Sequence, residues 1–129
     1  MKKSLLKKSQ IPLKKTSLKK ENTISAKKKH EQRIIQKEKD DIFYKQIFID
    51  RGRLSDLTGK IILGELSSFN CHHLLPKEKH PQFRYKQWNI LFCEGQWHSQ
   101  IETNPFLLPE ELYERYIIFL NYAKQKAGI

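Results

Sequence analysis

The sequence predicts an α+β domain, with two short apolar strands set among helices and a basic arm in front. Three observations lead there. Apolar residues recur with helical spacing over about 31–51 and again over about 109–126. Two short apolar runs, FNCHHLL at 69–75 and NILFC at 89–93, have strand length. Charge is segregated: residues 1–40 hold 14 Lys/Arg against 4 Asp/Glu, whereas residues 41–129 hold 11 against 10. A nearly neutral body of one domain therefore follows a strongly basic segment.

Residues 1–30 are rich in Lys, Ser and Thr, with scattered single apolar residues and no sustained period. Such a segment buries too little apolar surface to offset its ordering entropy, so a disordered arm is expected over 1–30 and a folded domain over 31–129. A basic arm is attracted to a polyanion. No apolar run approaches the roughly 20 residues needed to span a bilayer, so no membrane role is expected. The basic N-terminus lacks the continuous apolar core of a signal peptide. Two cysteines, Cys71 and Cys93, give no disulfide framework, and a reducing cytoplasm is the expected setting.

The elements follow in order. From Glu31 to Arg51, residues Ile35, Ile42, Phe43, Ile47 and Phe48 lie near one helical face, and Gly52 supplies a stop. Asp56-Leu-Thr-Gly59-Lys60 reads as a tight turn, followed by a short strand at 61–63. The strand at 69–75 ends at Pro76. Residues 76–88 form a loop carrying Lys77, Lys79, His80, Arg84 and Lys86, with Tyr85 and Trp88 interleaved. After the strand at 89–93 comes a short helix at 95–103, closed before Pro105. Pro109 opens the last helix, where its missing N–H costs nothing, and Glu110 and Glu111 suit the first turn's dipole. Leu112, Tyr113, Tyr116, Ile117, Leu120 and Ala123 give that helix a wide apolar stripe, and Gly128 lies past its end.

A strand bearing His72-His73, a basic loop, Asn89, a second strand and a short helix bearing His98 form an ordered set. This order resembles the HNH nuclease family. Many of its members carry a segment N-x-L-x-x-C-x-x-C-H, in which the final His stands nine positions after the Asn. NILFCEGQWH places His98 nine positions after Asn89. The resemblance covers roughly residues 53–104 and implies a ββα-metal core flanked by helices. It extends to small phage-encoded endonucleases of recombination or DNA processing.

That resemblance implies hydrolysis of DNA phosphodiester bonds. It makes His72 and His98 ligands of one divalent ion, His73 the general base, and Asn89 the residue that holds the loop, and hence the base, in place. Glu102 stands four residues after His98, on the same helical face, and is a candidate third ligand where some members have a second His. Imidazole with carboxylate suits Mg²⁺, Mn²⁺, Ni²⁺ or Zn²⁺. Arg84, Lys77, Lys79 and Lys86 are read as clamps on the phosphate backbone, Arg84 first because its planar fork grips phosphate in two places.

Many HNH domains also hold a structural zinc between two C-x-x-C pairs. The corresponding stretches here are Ser55-Asp-Leu-Thr58-Gly59 and Cys93-Glu-Gly-Gln-Trp97, which lack three of the four thiols. No structural zinc is expected, and Trp97, Leu57 and the flanking helices are expected to supply the lost stability by packing. Blander readings stand beside these. The two histidines can be a hydrogen-bonded strand pair, Glu102 a solvated helix residue, His80 a plain loop residue, and Tyr85 and Trp88 core anchors rather than stacking platforms. Cys71, Cys93 and His98 can instead hold a zinc. The whole chain can be a nucleic-acid-binding protein without catalysis or a zinc-stabilised interaction module.

Overall fold

In the computed structural model the backbone is described from residue 3 to 129 and the side chains from residue 25. The chain divides into two units, Met1–Lys39 and Asp40–Ile129. Helix α1 (Lys3–Arg51) is followed by strand β1 (Cys71–His73), strand β2 (Ile90–Phe92), helix α2 (Gly95–Thr103) and helix α3 (Glu110–Ala127), so the fold is α+β. No described helix is long and apolar enough to cross a membrane.

In the first unit, most of the segment expected to lack fixed structure has side chains outside the described residues. Over 25–39 the chain is helical and every side chain but Gln36 is exposed. The helix here draws on the propensity of Ala, Lys, Glu and Gln rather than on packing. It also begins earlier than the expected Glu31.

In the second unit, burial on α1 begins with Asp40, so the boundary falls after Lys39 rather than after residue 30. The buried face runs through Tyr44 and Ile47, with Phe43 and Phe48 at its flanks. Ile35 and Ile42 were expected on this face, but they are 52% and 71% exposed. Five residues separate Ile42 from Ile47, about 140° around the helix at its 3.6-residue turn. Arg51 ends α1 by donating to Asp56 Oδ2 and the Ile90 carbonyl at 2.7 Å and to the Gln87 carbonyl at 2.6 Å.

β1 and β2 pair antiparallel, with Cys71 opposite Phe92, His72 opposite Leu91 and His73 opposite Ile90. Alternation along the strands splits the core in two. Cys71, Ile90 and Phe92 pack with Tyr44 and Ile47. Leu74, Leu91 and Cys93 pack with Leu57, Ile101, Tyr116 and Ala123. Trp97 lies against this second cluster, in company with Leu57.

All three expected strands are shorter, and the run at 89–93 keeps only Ile90–Phe92. The run at 69–75 keeps only Cys71–His73. Ser68–Asn70 is instead a 3₁₀ turn, because Ser67 and Asn70 cap each other with their side chains and so compete with the ladder. The strand expected at 61–63 reduces to one bridge between Leu54 and Ile61, since Ile61 and Leu63 are exposed and only Ile62 turns inward. α2 keeps its expected bounds, and α3 starts one residue after Pro109 and closes on Gly128 at φ +76°.

Candidate metal centre

His72 sits in the middle of β1, whose alternation turns its ring toward α2 and α3. Its ring centroid lies 5.1 Å from that of His98 and 6.3 Å from that of Tyr116. His98 is held on α2 because its own N–H and that of Trp97 both return to the Glu94 carbonyl in the first turn. Glu102 follows one turn later. His98 Nε2 lies 2.8 Å from Glu102 Oε1, and His72 Nδ1 lies 3.8 Å from the same oxygen. One ligand atom from each of His72, His98 and Glu102 falls within 4.8 Å of the others, and this is the one such grouping among the described residues.

The hydrogen bonds around the three residues define their protons. His98 Nδ1 is 2.6 Å from the Phe69 carbonyl, which can only accept, so this nitrogen carries the hydrogen. In the neutral ring Nε2 then presents a lone pair toward a carboxylate oxygen, and two acceptors face one another at 2.8 Å. Either a second proton on the ring, giving an ion pair, or a metal cation between them resolves the clash. His72 Nδ1 is buried and has no hydrogen-bond partner in the structure, which is the deficit a metal–nitrogen bond fills. Burial, with the nearby His98 adding to it, pushes the His72 pKa down to about 4, so the ring is neutral near pH 7, as a ligand must be. A carbonyl behind the ligating ring is a frequent way to fix a metal-bound imidazole. The residues present therefore fit a divalent ion.

His73, one position on, turns to the other side of the ribbon, where its ring meets that of Tyr44 edge-on at 6.4 Å. Its Nε2 lies 3.0 Å from the Arg84 carbonyl. That nitrogen therefore carries the hydrogen and Nδ1 is left as an acceptor. Burial lowers the His73 pKa, with Lys77 and Arg84 nearby acting in the same direction. His72, His73, His98, Glu102, Tyr44 and Lys77 all line one cavity of about 610 Å³.

Asn89 is fully buried in the turn just before β2 and ties the start and the middle of the loop together. Its Oδ1 accepts from Leu75 N–H at 2.7 Å, and its Nδ2 donates to the carbonyls of Leu75 and Phe83 at 3.1 and 3.2 Å. The loop that carries the Arg84 carbonyl is thus pinned to the ribbon on which His73 sits.

The basic residues of the loop separate into two kinds. Lys79 and Lys86 are exposed, and Lys77 is half-buried at the cavity. Arg84 was expected on phosphate, but its fork is engaged by Asp40 at 2.9 and 2.7 Å, an ion pair formed by a carboxylate 44 residues earlier. Tyr85 also donates to Asp40 at 3.0 Å and meets Phe43 edge-on. Trp88 packs on Phe83, and His80 stacks on the same ring.

Cys71 and Cys93 lie in different core clusters, and burial pushes both thiols up to about 12. They behave as small apolar side chains, and the alternative set of Cys71, Cys93 and His98 does not assemble. The sequence reading missed Asp40, Tyr44 and Tyr116. Asp40, Tyr44, Ile47 and Arg51 stand at i, i+4, i+7 and i+11, so the helical period carried that signal. Tyr116 already belonged to the apolar stripe of α3, and only its place beside His72 was hidden. Comparison of the chain with protein-family models, curated proteins and solved structures found no match.

Proposed function

We propose that this chain is a metal-dependent endonuclease of the HNH type that hydrolyses DNA phosphodiester bonds, its ribbon and α2 forming a ββα-metal core. The observation that carries the proposal is the orphaned His72 Nδ1, facing His98 and Glu102 across a cavity that a second, separately oriented imidazole also lines. Three facing ligand groups beside a separate imidazole, with His73 and His98 each held by a backbone carbonyl, suit hydrolysis better than mere metal storage.

His72, His98 and Glu102 hold the ion, with Mg²⁺, Mn²⁺, Ni²⁺ and Zn²⁺ all compatible with two imidazoles and a carboxylate. When bound, the cation neutralises charge on the phosphate and on the departing oxygen. His73, neutral near pH 7, accepts the proton of the attacking water at Nδ1 while the Arg84 carbonyl keeps Nε2 protonated. Asn89 positions that carbonyl. The Tyr44 hydroxyl, whose pKa burial pushes up to about 12, remains a donor in the same cavity. Lys77 at the cavity and Lys79 and Lys86 beyond it draw the phosphate backbone in, and the basic N-terminal segment adds a salt-sensitive tether.

The test is plasmid nicking across the four cations with the full chain and its His73→Ala variant. The proposal expects cleavage by the wild type with at least one cation, and loss of cleavage with DNA affinity kept in the variant. Binding without nicking under every cation would make the chain a non-catalytic nucleic-acid-binding protein.

A further inference from the structure

Phe69 stands out among the apolar residues that line the metal cavity because the residue is 72% exposed. It makes no ring contact with any described aromatic residue, whereas Tyr44, Tyr116, His72 and His73 in the same cavity all do. Its backbone is nevertheless held by several hydrogen bonds. The 3₁₀ turn that carries it is closed by Ser67 Oγ accepting from Phe69 N–H and by Asn70 Oδ1 accepting from Ser67 N–H. Asn70 is buried, and its Nδ2 donates to the Cys93 carbonyl at 3.0 Å, tying the turn to the end of β2. The Phe69 carbonyl accepts from His98 Nδ1, and an added Cβ at Gly95 would meet Phe69 Cβ at 3.9 Å. A large apolar ring is thus presented to solvent from a fixed turn whose own carbonyl orients a metal ligand. Nothing in such a turn requires a phenyl ring for stability.

From this geometry we infer that Phe69 is a stacking platform for an unpaired nucleobase next to the scissile phosphate, which directs the enzyme to single-stranded or locally unpaired DNA. The inference rests on the nuclease reading of the same site. Every base has a flat π-face, so a phenyl ring at the cavity wall is met by whichever base adjoins the phosphate under attack. In an intact duplex both faces of each base are covered by neighbours, and the ring has nothing to stack on. A base freed by melting, a fork or a loop supplies the face. The contact carries no donor or acceptor, so it selects DNA structure rather than DNA sequence.

The experiment uses the full chain with Mn²⁺ and three DNAs of one sequence: a single strand, a duplex, and a duplex with an unpaired loop. Wild type, Phe69→Leu and Phe69→Trp are compared. In parallel, 2-aminopurine in the single strand reports stacking, read on His73→Ala and on the His73→Ala/Phe69→Leu double variant. The expected result is preference for the single strand and the loop. Phe69→Leu should raise KM for these by about 5- to 150-fold, the equivalent of one base–aromatic stack, while Phe69→Trp restores it. The 2-aminopurine response should vanish in the double variant. Unchanged KM in Phe69→Leu, with duplex cut as fast as single strand, overturns the inference and leaves the nuclease reading intact. Cleavage of no DNA under any cation defeats the nuclease reading, and the fluorescence arm then decides the stacking on its own: a response that depends on Phe69 supports it, and a response independent of Phe69, or none, overturns it.

Discussion

Asp40 accepts from Nε and Nη2, one edge of the Arg84 guanidinium, at 2.9 and 2.7 Å, and the carbonyl of Arg84 in turn holds His73 Nε2 at 3.0 Å. A charge pair between α1 and the loop therefore fixes the orientation of an imidazole without touching it. Loop basicity and phosphate contact become separable. Each phosphate-contacting lysine contributes roughly 0.9 to the slope of log affinity against log salt on duplex DNA. Lys79→Ala and Lys86→Ala should each flatten that slope, measured by fluorescence anisotropy from 50 to 200 mM salt. Arg84→Lys should leave the slope near the wild-type value and lower the thermal midpoint, because one ammonium cannot span both carboxylate oxygens.

Metal binding should weaken when any of the three ligands is removed. Calorimetric titration of metal-free protein with Zn²⁺ or Mn²⁺ should give one site. Glu102→Gln removes the charge while keeping the shape, and should weaken that site by about tenfold or more, as outer and inner partners of metal sites commonly do. Equal affinity in wild type and Glu102→Gln would exclude the carboxylate as a ligand.

His73→Ala should lower single-turnover cleavage by about 10²- to 10⁴-fold, the usual yield of general base catalysis. Its titration with metal should match wild type, since His73 is not among the three facing donors. Parallel loss of metal affinity and cleavage would instead make His73 a ligand.

Asn89→Ala should destabilise the domain by about 3 kcal/mol, since it strands the buried Leu75 N–H and two carbonyls at about 1–3 kcal/mol for a group left unpaired. Urea unfolding checks it. Asn89→Asp keeps the acceptor for Leu75 N–H but turns a buried carboxylate oxygen toward two carbonyls, and should destabilise at least as much as Ala.

The metal-free domain should lose stability in mild acid. Burial holds His72 at about 4 in the folded chain, against 6.5 when unfolded, so the unfolded chain binds the proton first as pH falls. The contribution is whole above 6.5 and is lost progressively toward 4. His73, also lowered by burial, acts with the same sign. Urea midpoints of wild type should drop over this window more steeply than those of His72→Gln. Asp40 enters only at lower pH. Burial alone would raise its pKa, but hydrogen bonds from Arg84 and Tyr85 hold it below 3.8. Its share is present above 3.8 and lost as pH falls through the lowered value.

Much of the candidate site was legible in the order of residue types. His72, Asn89, His98 and Glu102 are local signals: strand alternation, a fixed spacing to a helix, and an i, i+4 pair on that helix. Arg84 was not legible as an ion-pair partner. A planar fork is equally suited to phosphate and to carboxylate, and its actual partner stands 44 residues away. The strand ends were hidden for a similar reason, because side-chain oxygens of Ser67 and Asn89 intercept the backbone N–H groups of Phe69 and Leu75, which apolar patterning assigns to a ladder.

By itself the sequence determined the α+β class, the segregation of charge, the bounds of α2 and the close approach of His98 to Glu102, since each depends on neighbours within a turn or two of chain. Tertiary structure alone decided that His72 Nδ1 is left without a partner beside that pair, that Phe69 lends its carbonyl to His98 while exposing its ring, and that Asp40 claims Arg84. Those outcomes depend on which groups burial strips of water and which distant atoms then stand within bonding reach. Residue order alone does not carry that information.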